Sequence, residues 1–161
     1  MKILWAPWRK PYIEKEVQLD GCILCEKPRN REDRKNLILF RGQFCFILLN
    51  LYPYNNGHLM ISPYRHVDSL LSLSSEEMAE MWRLAQKSEG ILRGVMAPEG
   101  FNLGMNLGKV AGAGIADHIH LHVVPRWGGD TNFMPVTGET KVISEDVSST
   151  YERLSPLFSA R

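Results

Sequence analysis

Three histidines stand at alternate positions, His118, His120 and His122, separated by Ile119 and Leu121 and followed by Val123 and Val124. Alternation with a period of two is the pattern of a β-strand, whose successive side chains point to opposite faces. The three imidazoles are therefore expected on one face, with Ile119, Leu121 and Val123 turned toward a core. Side chains two apart on a strand stand about 6.5–7 Å from each other, a spacing that can set a nucleophile, a proton donor and a ligand along one bound substrate. A His-X-His strand equally suits a metal ion, because imidazole is the commonest metal ligand. Spacing by itself supports both chemistries.

Two further stretches could do chemistry. Cys22 and Cys25 follow Gly21 and precede Pro28, the context of a tight knuckle. A redox Cys-X-X-Cys usually opens a helix after a strand, and the polar run behind Pro28 offers none, so zinc is the better reading. Two thiolates leave a tetrahedral ion two ligands short. The chain has 5 histidines to draw on, His58, His66, His118, His120 and His122. The second stretch, Gly108 to Ile115, holds Gly112 and Gly114 among small residues. Glycines let backbone N–H groups approach a phosphate closely and form an anion nest, although such a loop is also what a flexible turn looks like.

The elements that must position these groups read as an α+β chain. Strands are expected at Leu37–Phe40, Phe44–Asn50, His58–Ser62, Phe101–Asn106 and His118–Pro125, with a short turn at Arg41-Gly42-Gln43 and a longer loop at Pro53–Gly57. Ser74 with Glu77 three residues on is a capping box that opens a helix. Met78, Met81, Trp82, Ala85 and Leu92 recur at helical spacing, so one face of that helix should pack on the sheet as core. Gly94 and Ala97–Gly100 should end it. A short terminal helix is expected over Thr150–Ser159. The fold class is thus a five-stranded antiparallel sheet packed with one main helix. Leu4–Tyr12, rich in tryptophan and proline, should run extended as an arm, and Cys45 should be a small core residue.

Composition narrows the rest. A chain of 161 residues, 44% hydrophobic, is enough for one good core and short for two domains. Its 19 basic and 18 acidic residues leave a net charge of +1, which argues against a strongly basic nucleic-acid surface and requires any anionic ligand to be met locally. No apolar run is long enough to span a membrane, the N-terminus does not read as a signal peptide, and the cysteines make no disulfide framework. A cytoplasmic protein is expected.

His-φ-His-φ-His-φ-φ, with φ apolar, is the signature of the histidine triad family of nucleotide hydrolases and transferases, which this chain resembles from Leu4 to about Tyr151. Leu49–Met60 and Pro125–Phe133 look like the branch of bacterial diadenosine tetraphosphate phosphorylases, and the chain is also similar to the fragile histidine triad hydrolases. The resemblance implies one domain over 1–161, with an N-terminal arm and zinc knuckle over 1–36 and a C-terminal extension over 126–161. It implies cleavage of a dinucleoside polyphosphate through a nucleotidyl intermediate on His120, with His122 bonded to the scissile or a phosphoryl oxygen. His58 would support the phosphate pocket, Asn50 would hold the ribose hydroxyls, Asn106 would help hold the phosphates, and Ile47 and Leu48 could flank the base. Zinc would sit on Cys22, Cys25, His66 and His118, and the sheets of two copies would join in a homodimer. Many relatives carry Gln-Ser or Gln-Thr where Gly114-Ile115 stand here, so the leaving group would rest on backbone donors, Lys109 or Asn106. The sequence leaves open whether magnesium accompanies the nucleotide and whether phosphate or water is the second acceptor. A nucleoside phosphoramidase and a zinc-dependent binding module without turnover are the alternatives.

Overall fold

The computed structural model describes residues 21–138 and 141–159, and the expected arm at 4–12 lies outside them. Five strands, β1 (Ile38–Arg41), β2 (Cys45–Leu49), β3 (Leu59–Pro63), β4 (Gly100–Gly104) and β5 (Leu121–Arg126), form one sheet in the order β1-β2-β3-β5-β4. All four pairings are antiparallel. The helices are α1 (Ile23–Glu26), α2 (Asp33–Asn36), α3 (Ser75–Met96), α4 (Met134–Gly138) and α5 (Val147–Ser159).

Alternation along the strands divides the sheet into two chemically different faces. Cys45, Ile47 and Leu49 of β2, Leu59 and Ile61 of β3, and Leu121 and Val123 of β5 form one cluster with Met81, Leu84, Ala85 and Leu92 of α3 and Tyr151, Leu154 and Phe158 of α5. The residues of opposite parity, Phe46, Leu48 and Met60, meet Ile38 and Leu24 on the other side, which is the side of His122. Ile47 therefore belongs to the helix-covered core, and of the two residues expected beside a base Leu48 alone faces the histidines. Cys45 is fully buried in that core as expected.

Helix α3 starts as its capping box requires: Ser74 Oγ accepts from Glu77 N–H at 3.2 Å, and Glu77 Oε2 accepts from Ser74 N–H at 2.8 Å. Arg65 donates to both Glu77 oxygens, which ties the helix N-terminus to the segment after β3. Two expectations for this helix are corrected. Gly94 lies inside it, and the stop comes at Ala97, whose backbone is left-handed at φ 46°. Met78 and Trp82 are 39% and 52% exposed. Trp82 follows Met81 by about 100° of rotation, which turns it off the buried stripe, and Met78 lies in the first turn, where the helix has only begun to cover the sheet.

The β2–β3 connection, residues 50–58, is the loop that delivers His58, and it is closed at its base by Asn50 N–H donating to His58 O at 3.0 Å. Gly57 precedes His58 with φ +71°, and a methyl group there would stand 2.7 Å from Met96 Sδ and 3.3 Å from Leu92 Cδ2. Gly57→Ala should lower stability by about 1–2 kcal/mol through left-handed strain and this contact, read as a shifted urea midpoint at unchanged m-value.

Candidate active site and metal cluster

The histidine row is not one continuous strand. Backbone pairing in β5 begins at Leu121, opposite Ile61, and continuing that register would set Ile119 against Pro63, which has no N–H to give. Other groups hold the segment instead. Ile119 N–H donates to Val67 O at 2.7 Å, Ser62 Oγ donates to Ile119 O at 3.1 Å, and His118 Nε2 donates to Pro63 O at 2.9 Å. Only His122 of the three lies within the ladder, and the rings consequently take up different surroundings.

His118 turns to the knuckle. Its Nδ1 lies 3.3 Å from Cys22 Sγ and 3.4 Å from Cys25 Sγ, and His66 Nδ1 lies 3.4 Å from Cys25 Sγ. The ligand atoms of Cys22, Cys25, His66 and His118 all fall within 4.8 Å of one another. A tetrahedral ion with bonds of about 2.3 Å to sulfur and about 2.0 Å to nitrogen separates S and N by about 3.5 Å, so the four groups fit one ion. Because Pro63 O can only accept, the His118 proton sits on Nε2 and the Nδ1 lone pair faces the thiols, the usual arrangement around a metal-ligating imidazole. Contrary to expectation the knuckle contains a helix, the single turn α1, for which Cys22 is the N-terminal boundary residue. A spacing of three within such a turn puts both thiols on one side. The resemblance thus named the same four residues that the fold brings together.

His120 is not part of this cluster. Its Nδ1 donates to His118 O at 2.8 Å, which leaves the lone pair of the neutral ring on Nε2. That nitrogen has no hydrogen-bond partner among the described residues, and the residue is 5% exposed. Burial holds the ring below its ordinary pKa, so it is unprotonated near neutrality and able to attack an electrophile.

The next ring along carries the opposite polarity. His58 Nδ1 accepts from Tyr54 N–H at 3.0 Å and from Asn50 Nδ2 at 3.3 Å, so the His58 proton is on Nε2. From there it is donated to His122 Nδ1 at 2.9 Å. The His122 proton must then be on Nε2, as a donor. Burial, then the neighbouring imidazoles, push His58 down to about 3 and His122 to about 4. His120 and His122 pack edge to face with ring centroids 4.8 Å apart. One lone pair and one N–H are thus placed side by side, a pairing suited to attack on phosphorus with stabilisation of a departing oxygen.

The remaining predicted positions fall as follows. Asn50 Oδ1 accepts from Tyr52 N–H at 3.0 Å while its amide reaches His58, so the side chain is part of the loop's own structure. Asn106 and Gly112 share the loop before the histidines, a methyl group on Gly112 coming 3.5 Å from Asn106 Nδ2. Gly108 and Gly112 are left-handed, whereas Gly114 has ordinary φ and open space around it. Ile115 packs on the cluster of Leu24, Phe46, Leu48 and Met60, an anchoring task that a hydroxyl-bearing residue would do poorly. Sequence reasoning missed Tyr54, whose ring lies over His58 and His122 at 4.5 and 5.5 Å between centroids, and missed Ser62. No sequence pattern marks either: Ser62 acts on Ile119, remote in sequence, and Tyr54 acts on His58 four residues on and on His122 only once the loop has folded over the strand.

Comparisons with known proteins agree with this geometry. A family model described as the HIT domain matches residues 31–129. The chain is 42% identical over 160 residues to an AP-4-A phosphorylase of Mycobacterium tuberculosis, covering 94% of this chain and 82% of that one. It is 31% identical over 93 residues to a bis(5'-adenosyl)-triphosphatase of Dictyostelium discoideum, covering 58% and 62%. Among solved structures, a zinc-bound histidine triad family protein from Mycobacterium smegmatis superposes with a TM-score of 0.66 at 23% identity, covering 87% of this chain and 94% of that one, a likeness of fold.

The buried neutral rings make stability depend on pH. An unfolded histidine takes up a proton near pH 6.5, whereas folded His58 stays neutral to about 3 and His122 to about 4. The unfolded state therefore binds more protons, and stability falls as pH drops below 6.5, by up to about 1.4 kcal/mol per unit for each ring. Replacing His58 by Gln should flatten the fall in urea midpoint between pH 6.5 and 5 relative to the parent protein, and an identical slope would contradict this assignment.

Proposed function

The chain belongs to the histidine triad (HIT) domain family, and from that premise we propose that it is an enzyme that cleaves dinucleoside polyphosphates, diadenosine tetraphosphate among them, through a covalent nucleotidyl intermediate on His120. The observation that carries this reading is the bare Nε2 of His120: burial disfavours a second proton on the ring, and the His118 carbonyl holds the one proton on Nδ1. Nε2 attacks the phosphorus next to one nucleoside, the bond from that phosphorus to the bridging oxygen breaks, and the remaining nucleotide leaves. The Nε2–H of His122 bonds to the departing oxygen as negative charge develops there. A second acceptor then attacks the same phosphorus, breaks its bond to Nε2 and restores the ring. Similarity to the mycobacterial phosphorylase over 94% of the chain favours inorganic phosphate as that acceptor. Asn106 and the amides around Gly112 and Gly114 are the proposed substrate contacts, whereas His58, buried and bonded at both ring nitrogens, supports the phosphate pocket through His122, and Asn50, bonded within its own loop, does so through His58.

We assign zinc to Cys22, Cys25, His66 and His118, on the strength of a donor set of two thiols and two imidazoles at tetrahedral spacing. Its contribution would be structural, a cross-link between the knuckle and the segment that carries His120 into β5. A homodimer is supported by β4, the edge strand next to β5, on which Asn102, Leu103 and Gly104 are exposed. The reading takes the chain as one domain, in keeping with α5 packing against β1, where Tyr151 Oη donates to Ile38 O at 3.2 Å. No helix among the described residues is long and apolar enough to cross a membrane. The three cysteines form no disulfide, and a cytoplasmic location is part of the proposed reading.

Incubation with diadenosine tetraphosphate, with and without inorganic phosphate, should yield ADP plus ATP only when phosphate is present. AMP plus ATP would make the acceptor water, and no turnover would reject the enzymatic reading. His120→Ala should lose on the order of 10⁴-fold or more in kcat while keeping its zinc by elemental analysis. Cys22→Ser should lose the zinc, and loss of zinc from His120→Ala would instead favour a binding module that uses the whole histidine row as ligands.

A further inference from the structure

The polarity of His122 depends on the 50–58 loop staying where it is, and that loop is fastened by groups outside the nucleotide chemistry described above. The side chain of Asn55, buried at 7% exposure, sends its amide nitrogen to Pro125 O at 3.0 Å and to Asp130 Oδ2 at 2.8 Å. Both partners can only accept, so the amide orientation is fixed. The Asp130 carboxylate, its side chain 5% exposed, accepts from Arg126 Nε at 2.6 Å and Nη2 at 3.0 Å, and from Trp127 N–H at 3.2 Å. Arg126 also donates to Asn102 Oδ1 of β4 at 2.7 Å. The loop tip is thereby bolted to the far end of β5, the strand that carries His122, and through Arg126 to the sheet edge.

We propose that Asn55 and Asp130 are positioning residues that set His122 as a donor, by clasping the loop so that the Tyr54 N–H stays on His58 Nδ1. The chain of consequences is short. Asn55 is the residue after Tyr54, and His58 N–H donates to Asn55 O at 3.2 Å, so fixing Asn55 fixes both ends of the turn around His58. While Nδ1 of His58 accepts, its proton is confined to Nε2, and His122 must keep its own on Nε2. With the clasp cut, Asn50 Nδ2 at 3.3 Å is the remaining donor, and the other pair of tautomers becomes accessible. In that pair His122 presents a lone pair to the departing oxygen, where a proton is needed. The functional part of this inference rests on His122 serving that oxygen; the structural part does not.

The test uses the full zinc-loaded chain labelled with ¹⁵N-histidine. In the parent protein the ring nitrogens of His58 and His122 should each give a bare Nδ1 and a protonated Nε2. In Asn55→Ala both rings should move toward averaged shifts. With diadenosine tetraphosphate, kcat should fall on the order of tenfold, the effect of one lost hydrogen bond, with KM within about twofold. The loss should shrink toward parity with a p-nitrophenyl ester of AMP, whose leaving group departs without a proton. Asp130→Glu, which keeps the charge but displaces the acceptor, should move the same signals and serves if Asn55→Ala does not fold. Unchanged nitrogen shifts in either folded variant, or equal rate losses on both substrates, would overturn the proposal. Absence of turnover by the parent protein would instead overturn the enzymatic reading and leave the spectra to decide whether the clasp exists.

Discussion

A neutral imidazole has two nitrogens and one proton, so whatever partners one nitrogen dictates what the other can do. Within five residues this constraint is resolved in three ways. The Pro63 carbonyl takes the Nε2 proton of His118 and frees Nδ1 toward two thiols. The His118 carbonyl takes the Nδ1 proton of His120 and frees a lone pair on Nε2. His58 gives its proton to His122 Nδ1 and leaves an N–H on the far side of that ring. The proposed ligand, nucleophile and donor are the same side chain with different neighbours.

Burial makes these assignments binding. In water a histidine near neutrality exchanges protons and tautomers freely, and a fixed polarity has no meaning. Here desolvation lowers the pKa of all three rings and of His58, which removes the doubly protonated form and leaves hydrogen bonding to choose between the two neutral ones. The sheet provides the desolvation. Its helix-covered face supplies the apolar bulk, while on the other face the knuckle and the loop over residues 50–58 close around the rings.

His118 sits where the two halves of the site meet. Its ring belongs to the candidate metal cluster, and its carbonyl holds the Nδ1 proton of His120, the proposed nucleophile. The zinc cross-link proposed at Cys22 and Cys25 would therefore bear on the chemistry without touching substrate, by restraining a backbone segment that Pro63 keeps out of the regular ladder.

Much of this was written locally in the chain. Period-two alternation located the histidine strand, apolar runs between turn residues located the others, Ser74 with Glu77 located the main helix, and the Cys-X-X-Cys knuckle with alternate histidines was enough to single out the candidate functional residues. These patterns are legible because strand parity, capping and chelation depend on neighbours within a few positions. Which ring does which job was not legible from spacing, which treated the three histidines alike. Their partners, Pro63, Tyr54, His58 and the cysteines, lie far off in sequence and arrive only when β3 pairs with β5 and the 50–58 loop closes. The same holds for Ile47 against Leu48, and for Met78 and Trp82 against Met81: periodicity marked them as apolar, and packing alone decided which of them met a core. A sequence records what each side chain can do, and the proton on an imidazole goes where tertiary contact puts the acceptor.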